Sequence, residues 1–122
     1  MRKGLIAFML MAAVTYIPVT EAANGTLIAG ITRVLAHKEN LFGGCMALMS
    51  KAPSTVLPDC VSRWISFSCT GDFNAKDHAN RMYDNAQMAM ALNRRVKVVF
   101  SDLRKHNGHC VAHRIDVFDS AP

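Results

Sequence analysis

The chain has 122 residues, of which 51% are hydrophobic and 19% charged, and this length is that of one small domain. Its 14 lysines and arginines outnumber its 9 aspartates and glutamates, which gives a formal net charge of +5 at pH 7. This modest excess favours acidic partners. The basic residues lie in small groups with few aromatic residues between them, which argues against nucleic acid as the partner.

The first 22 residues have the pattern of a secretory signal peptide. Arg2 and Lys3 precede an apolar run over residues 5–14, and Thr20 and Ala22 are small residues at the −3 and −1 positions of a cleavage site. The alternative, an N-terminal membrane anchor, needs about 20 unbroken apolar residues, whereas threonine and proline interrupt this run. We therefore expect export to the periplasm and cleavage after Ala22.

The mature chain would then span residues 23–122, which is 100 residues, or 122 less the 22 removed. Loss of Arg2, Lys3 and Glu21 lowers the net charge from +5 to +4. No later segment is apolar enough to span a bilayer, so we expect no membrane contact after cleavage. A domain of this size buries a small core, and we expect it to need disulfide bonds for stability.

Three segments in the first half of the mature chain are predicted to be strands. Residues 25–36 are rich in β-branched and apolar side chains and form a first strand that bends near Gly30. A polar turn at residues 37–40 leads to a second strand at residues 45–49. Residues 61–68 then alternate apolar and polar side chains, as a third strand does.

Trp64 lies on the opposite face of this third strand from Ile65 and Phe67. Either both faces of the strand are covered, or Trp64 is an exposed contact residue. The large area of an indole ring favours the covered position.

The clearest helix is predicted over residues 75–92. Asn74 is the expected N-cap, and Asp77 places a negative charge in the first turn, where the helix dipole favours it. Apolar side chains recur at spacings of three and four residues, so one face should pack on the sheet. The members of this face are Ala79, Met82, Tyr83, Ala86, Met90 and, at its margin, Ala89.

Two further strands follow the helix, at residues 96–100 and 111–117. The segment 104–108 between them ends in Asn107-Gly108, a pair suited to a tight turn with positive φ angles. The element order predicts an α+β fold in which a small curled antiparallel sheet of about five strands packs on one main helix.

Four cysteines in a short exported chain, Cys45, Cys60, Cys69 and Cys110, predict two disulfides that each stabilise the domain by about 2–4 kcal/mol. A strand over residues 61–68 would hold Cys60 and Cys69 roughly 30 Å apart at about 3.3 Å per residue, which disfavours a bond between them. We expect Cys45–Cys60 and Cys69–Cys110. The alternative is Cys45–Cys110 with Cys60–Cys69.

No sequence pattern identifies a catalytic or cofactor site. His109 and His113 are the best-placed pair for a metal, but a disulfide-bonded Cys110 cannot supply a thiolate ligand. The serines lie in no nucleophile-elbow motif, and Glu39 is the only glutamate left after processing. We expect a protein without catalytic activity, metal or cofactor; a small secreted nuclease that uses His and Lys is the alternative.

Three segments carry a resemblance to a known family. They are Cys60-Val-Ser-Arg-Trp-Ile-Ser-Phe-Ser-Cys69, the helix end Ala-Gln-Met-Ala-Met-Ala-Leu, and the tail Lys105-His-Asn-Gly-His-Cys110-Val-Ala-His-Arg-Ile-Asp116. Together with the exported four-cysteine layout, they resemble small periplasmic proteins of Vibrio-type bacteria, in particular immunity proteins that neutralise peptidoglycan-degrading VgrG spike effectors of type VI secretion. A looser likeness, in architecture only, is to the glycan-binding B subunits of exported multisubunit toxins.

The resemblance implies a protein that is not an enzyme and that blocks the active-site cleft of a muramidase-type hydrolase. A rigid and mildly basic surface suits a cleft that contains catalytic carboxylates. We expect exposed loops to make the contacts, and the alternative is that these loops are only solvated turns. The expected contact residues are His37, Lys38, Glu39, Asn40 and Phe42 in the first loop, with Phe42 as an aromatic anchor, and Arg104, Lys105 and His106 at the hairpin tip.

A homodimer is a further expectation. A small curled sheet leaves unpaired edge strands, and pairing between two copies would cover them.

Overall fold

In the computed structural model, the residues described are 13–18 and 23–120. Residues 13–18 are exposed and have no regular secondary structure. Most of the predicted signal peptide, residues 1–12 and 19–22, lies outside the described residues. None of the helices in the described part of the chain has the length and hydropathy required to cross a membrane.

The fold is α+β, as the sequence predicts, with six strands and one main helix among the described residues. The helix α1 spans Lys76–Ala91, and short 3-10 turns occupy Asn40–Phe42 and Pro53–Thr55. The strands are β1 Asn24–Ala29, β2 Ile31–Ala36, β3 Cys45–Met49, β4 Trp64–Ser66, β5 Val96–His106 and β6 His109–Val117.

The strands form one sheet in the order β1-β5-β6-β4-β3-β2. Neighbouring strands are antiparallel except β4 and β6, which run parallel where Ser66 lies opposite Val111. The sheet is therefore mixed and six-stranded, where the sequence predicts about five antiparallel strands.

Gly30 explains the additional strand. The segment predicted as one bent strand divides there, since Ala29 pairs with Val96 in β5 and Ile31 pairs with Met49 in β3. These two halves are the two outer strands of the sheet. Because the two outer strands are joined at Gly30, the sheet must curl until they meet there. The sequence also predicts a curled sheet.

One face of α1 covers the sheet. The helix contacts β6, β2 and β3, and its buried side chains are small or unbranched: Ala79, Met82, Ala86 and Ala89. The alanines let the helix approach the strands closely, while Phe67 and Phe100 fill the centre of the core. Met90 is predicted to lie on this face but is 37% exposed. The buried position in the last turn of the helix is Ala89, and Met90 lies one residue beyond it, on the side facing solvent.

The start of α1 also differs from the prediction. The N-cap is Ala75, with no side-chain capping bond, rather than Asn74. The Asn74 side-chain amide donates instead to the carbonyl oxygens of Phe67 and Ala112, at 2.9 and 2.8 Å. Asn74 therefore links the residues just before α1 with two other parts of the chain, the segment after β4 and strand β6.

The third predicted strand is correct only at its centre. Strand β4 covers three residues because Ser62 and Ser68 adopt left-handed backbone conformations, with φ of 70° and 59°. These conformations end the pleat on both sides.

The disulfides are Cys45–Cys69 and Cys60–Cys110, so both predicted bonds are wrong, and so is the alternative set. Cys45 begins β3, whose antiparallel partner β4 ends just before Cys69. Cys110 lies at the start of β6, which runs parallel to β4, and Cys60 lies before the start of β4. The antiparallel pairing of β3 with β4 accounts for the first bond, and the parallel pairing of β4 with β6 accounts for the second. No sequence pattern indicates the parallel pairing.

Candidate functional site

Both segments predicted to contact a partner lie at one end of the molecule. Residues 37–44 connect β2 to β3, and residues 102–109 contain the end of β5 and its turn into β6. Gly43 packs against His106, and the strand β5 contacts the 3-10 turn. We refer to residues 37–44, 69–73 and 102–109 together as the loop end.

The first of these loops is held in one conformation. At its base, the His37 backbone N–H donates to the carbonyl oxygen of Gly44 at 2.8 Å. At its tip, the Asn40 side chain accepts a hydrogen bond from the Thr70 hydroxyl at 2.6 Å and donates to the Asp72 carboxylate. The disulfide from Cys45, directly after this loop, to Cys69 adds a covalent link between the same parts of the chain, so the loop is held before any partner binds.

Phe42 is half-buried within this loop. Its ring lies 5.9 Å from the His37 ring and 5.9 Å from the His109 ring, measured between centroids. The side chain of its neighbour Leu41 is 54% exposed. The part of the loop that offers apolar area to a partner is therefore Leu41 as well as the predicted Phe42.

His106 is buried, with 6% of its surface exposed, so it is not the exposed contact residue that the sequence predicts. Its Nε2 lies 2.9 Å from the Ser68 hydroxyl, and its ring lies 4.6 Å from the ring of Phe73. Burial lowers the pKa of His106, so the neutral imidazole is favoured. His106 supports the loop end from inside.

Strand β5 carries a bulge just before His106. Ser101 pairs with Val111 and Lys105 pairs with Cys110, so residues 102–104 have no partner on β6. Within this bulge, the side chain of Leu103 is 65% exposed. No sequence pattern singles out Leu103, because strand alternation cannot locate a bulge whose register depends on the neighbouring strand.

Two of the expected contact residues lie at this bulge: Arg104 is part of it, and Lys105 follows it. The guanidinium of Arg104 lies 5.7 Å from the centroid of the Phe73 ring, which holds an exposed cation beside Leu103. Lys105 is half-buried. The loop end therefore combines exposed apolar side chains with exposed cations, including Lys38 in the first loop.

Trp64 is half-buried and lies beneath the guanidinium of Arg33, 5.8 Å from the ring centroid. It lines a cavity of about 230 Å³ on the outer side of the sheet. The other lining residues are Arg33, Leu35, Phe42, Met46 and His109. Trp64 is thus neither fully covered nor freely exposed.

A second cavity, of about 220 Å³, lies beside the bulge. Phe73, Leu103, Arg104 and His113 are among its lining residues. The two cavities border the loop end, one next to Phe42 and the other next to Leu103.

Two Ser–His pairs occur near the loop end, and both have a structural role. Ser68 is fully buried, and its hydroxyl also accepts the Phe73 N–H at 3.0 Å. Ser62 lies 2.9 Å from Nδ1 of His109 and accepts the Trp64 N–H at 3.2 Å, which closes a local turn. Each hydroxyl thus accepts a hydrogen bond from the backbone, and both serines have left-handed backbone conformations.

The structure does not bring His109 and His113, the best-placed pair in the sequence, into a metal-binding cluster. Across the described ranges, no three His, Cys, Asp or Glu side chains converge as metal ligands would. His109 contacts Ser62 and Phe42, while His113 accepts a hydrogen bond through its carbonyl oxygen from His78 at 3.1 Å.

Comparison with protein-family models, curated proteins and solved structures finds no match to this chain.

Proposed function

We propose that the protein is an exported immunity protein that inhibits a muramidase-type peptidoglycan hydrolase of type VI secretion by occupying its active-site cleft. The resemblance of the cysteine-bounded segment and the tail supports this proposal, as does the export signal in the sequence. The partner is the cognate effector, and the site of action is the periplasm.

The observation that carries the proposal is the pre-formed loop end. The Cys45–Cys69 disulfide and the side chain of Asn40 fix the first loop before contact, so binding loses little conformational entropy. An inhibitor that must act as soon as an effector arrives benefits from such rigidity, because tight binding then needs fewer contacts.

Charge and apolar area at the loop end suit a cleft built for a sugar polymer. Leu41 and Leu103 are large exposed apolar side chains, and Lys38 and Arg104 are exposed cations near them. The catalytic carboxylates of a muramidase would attract these cations, and the apolar side chains would fill subsites shaped for sugar rings.

A turbidity assay on purified cell walls tests the proposal. The candidate effector alone should clear the suspension, and a molar excess of this protein should stop clearing. Continued lysis at a molar excess of folded, oxidised protein would refute the proposal.

A matched pair of variants then tests the loop end. Leu103→Asp should weaken binding of the effector by about 30-fold or more, as loss of a central apolar contact does. Leu92→Asp is the control, because Leu92 is 60% exposed, similar to the 65% of Leu103, but lies at the end of α1. Equal affinities of the two variants would place the contact surface elsewhere.

The second candidate function is a glycan-binding module like a toxin B subunit. The cavity at Trp64 favours it, because an indole ring beside the guanidinium of Arg33 is a surface on which sugar rings stack. Trp64 is the only tryptophan in the chain, so its fluorescence reports on this cavity alone. A saturable change in emission on titration with soluble glycans, lost in Arg33→Ala, would favour this function over inhibition.

A further inference from the structure

We propose that cleavage after Ala22 creates a charged N-terminus that the carboxylate of Asp102 binds, so that export processing itself completes an ion pair at the edge of the sheet. The ion pair rests on the proposed export of the chain and not on the identity of the partner.

The geometry at Ala23 carries the proposal. The backbone nitrogen of Ala23 donates to Oδ1 of Asp102 at 3.1 Å, and the Asp102 N–H donates back to the carbonyl oxygen of Ala23 at 3.4 Å. The two residues extend the ladder between β1 and β5 by one position, since Asn24 already pairs with Ser101. The first residue of the expected mature chain is therefore held on both its nitrogen and its oxygen.

The Asp102 carboxylate can accept a positively charged partner. None of the Lys or Arg side chains in the described ranges forms an ion pair with it; the ion pairs there involve Asp77 and Asp116. In the uncut chain, the Ala23 nitrogen is a neutral amide. Hydrolysis of the Ala22–Ala23 bond by the signal peptidase of the export pathway consumes one water, leaving a carboxylate on Ala22 and an ammonium group on Ala23.

The ammonium group would lie where the amide now lies, within hydrogen-bonding distance of Oδ1. A charge-assisted hydrogen bond would then replace a hydrogen bond from a neutral donor. Asp102 is also the first residue of the bulge that presents Leu103. Processing would therefore anchor both the start of β1 and the base of this bulge.

The first test identifies the N-terminus. The full chain is produced with its own leader, recovered from the periplasm and examined by intact mass and N-terminal sequencing. The expected mature protein begins at Ala23. A protein that keeps its leader, or that begins at another residue, would overturn the proposal.

The second test separates charge from hydrogen bonding. Asp102→Asn keeps an oxygen that accepts a hydrogen bond from Ala23 but removes the negative charge. It is measured in the mature protein and in a form that retains Glu21 and Ala22 ahead of Ala23.

The mature wild-type protein should melt about 2–4 °C above the extended form, which is the range expected of one exposed ion pair in a domain of this size. Asp102→Asn should abolish this difference. Asp84→Asn, on the exposed side of α1, is the control and should preserve it. An equal loss of melting temperature by Asp102→Asn in both forms would show that the contribution of the carboxylate does not depend on the charge of the Ala23 nitrogen, and would overturn the proposal.

Discussion

Gly43 in the first loop packs against His106 at the end of β5. A side chain built on Gly43 would lie 2.5 Å from the Ser66 hydroxyl oxygen and 2.6 Å from Cδ2 of His106. The Ser66 hydroxyl in turn donates to the carbonyl oxygen of Phe42 at 2.7 Å. A glycine and a buried, neutral imidazole therefore let the two halves of the loop end approach each other.

Acid should destabilise the fold through His106 and His109. Burial lowers the pKa of both side chains in the folded protein, so below about pH 6.5 the unfolded chain binds protons that the folded chain does not. The free energy of unfolding should be highest above about pH 6.5 and fall as the pH drops toward the folded pKa values. Urea midpoints measured from about pH 8 to about pH 5 give this slope.

The variant His106→Gln should reduce the slope, since glutamine does not titrate, and His106→Gln with His109→Gln should reduce it further. His37→Gln, at an exposed position, is the matched control. A slope unchanged in the double variant would assign acid sensitivity to other groups.

Gly43→Ala should destabilise the domain by about 2–4 kcal/mol. The φ angle of +72° penalises any side chain, and the new methyl group would overlap two buried groups. Gly71→Ala separates the two effects, because Gly71 also has a positive φ, of +94°, but a methyl group there meets only the flexible side chain of Lys76. Chemical denaturation should give about 1 kcal/mol for Gly71→Ala. A similar cost for both variants would show that the contact with His106 is not tight.

Among the elements, β4 organises the candidate site although it is the shortest strand. It pairs with β3 on one side and β6 on the other, and a disulfide lies beyond each of its ends. The bonds therefore tie β4 to the first loop through Cys69 and to the hairpin through Cys60.

Removal of either disulfide should lower the free energy of unfolding, and the bond that closes the longer loop should cost more. Cys60→Ala with Cys110→Ala opens a link between residues 50 apart and should cost about 4 kcal/mol, whereas Cys45→Ala with Cys69→Ala opens one of 24 residues and should cost about 3 kcal/mol. Thermal and urea unfolding measure the order. Peptide mapping without reduction should recover the 45–69 and 60–110 links, and recovery of a 45–60 link would contradict this connectivity.

The sequence predicts elements well where one local rule decides them. The helix is predicted within one residue at each end, and Asn107 and Gly108 have positive φ angles of 51° and 84°, as the tight turn requires. Partners distant along the chain could not be predicted in the same way. The parallel pairing of β4 with β6, the division of the first strand at Gly30 and the bulge at residues 102–104 all depend on which strands become neighbours.

The same reason limits what the sequence says about the candidate site. The sequence predicts exposed loops at residues 37–42 and 104–106, and the fold brings them to one end of the molecule. Alternation alone could not show that His106 points inward and Leu103 outward, because the bulge shifts the register between Ser101 and Lys105.

In the molecule as a whole, the curled sheet has two different faces. The helix packs on the face of the sheet that carries the core residues, whereas Trp64 and the cavity that it lines lie on the opposite face. The outer strands β1 and β2 are the edges through which a second copy would pair, and the homodimer stays a prediction. If a partner binds at the loop end, as we propose, the apolar contacts between α1 and the sheet need not change.

If the loop end enters an acidic cleft, added salt should slow association and leave dissociation nearly unchanged. The net charge of +5 in the full chain, or +4 after loss of Arg2, Lys3 and Glu21, would steer the protein toward a negative cleft. Between about 0.05 and about 0.5 M NaCl, the association rate constant should fall by about tenfold while the dissociation rate constant changes by less than about twofold. Surface plasmon resonance with the immobilised effector measures both.

Charge reversal at two exposed arginines locates the source of this dependence. Arg104→Glu should slow association at low salt and flatten the salt dependence, because Arg104 lies at the loop end. Arg81→Glu changes the net charge equally but lies on the exposed side of α1, away from the loop end, so it should have the smaller effect. If both reversals slow association equally, steering depends on net charge alone and the loop end has no special part in the encounter.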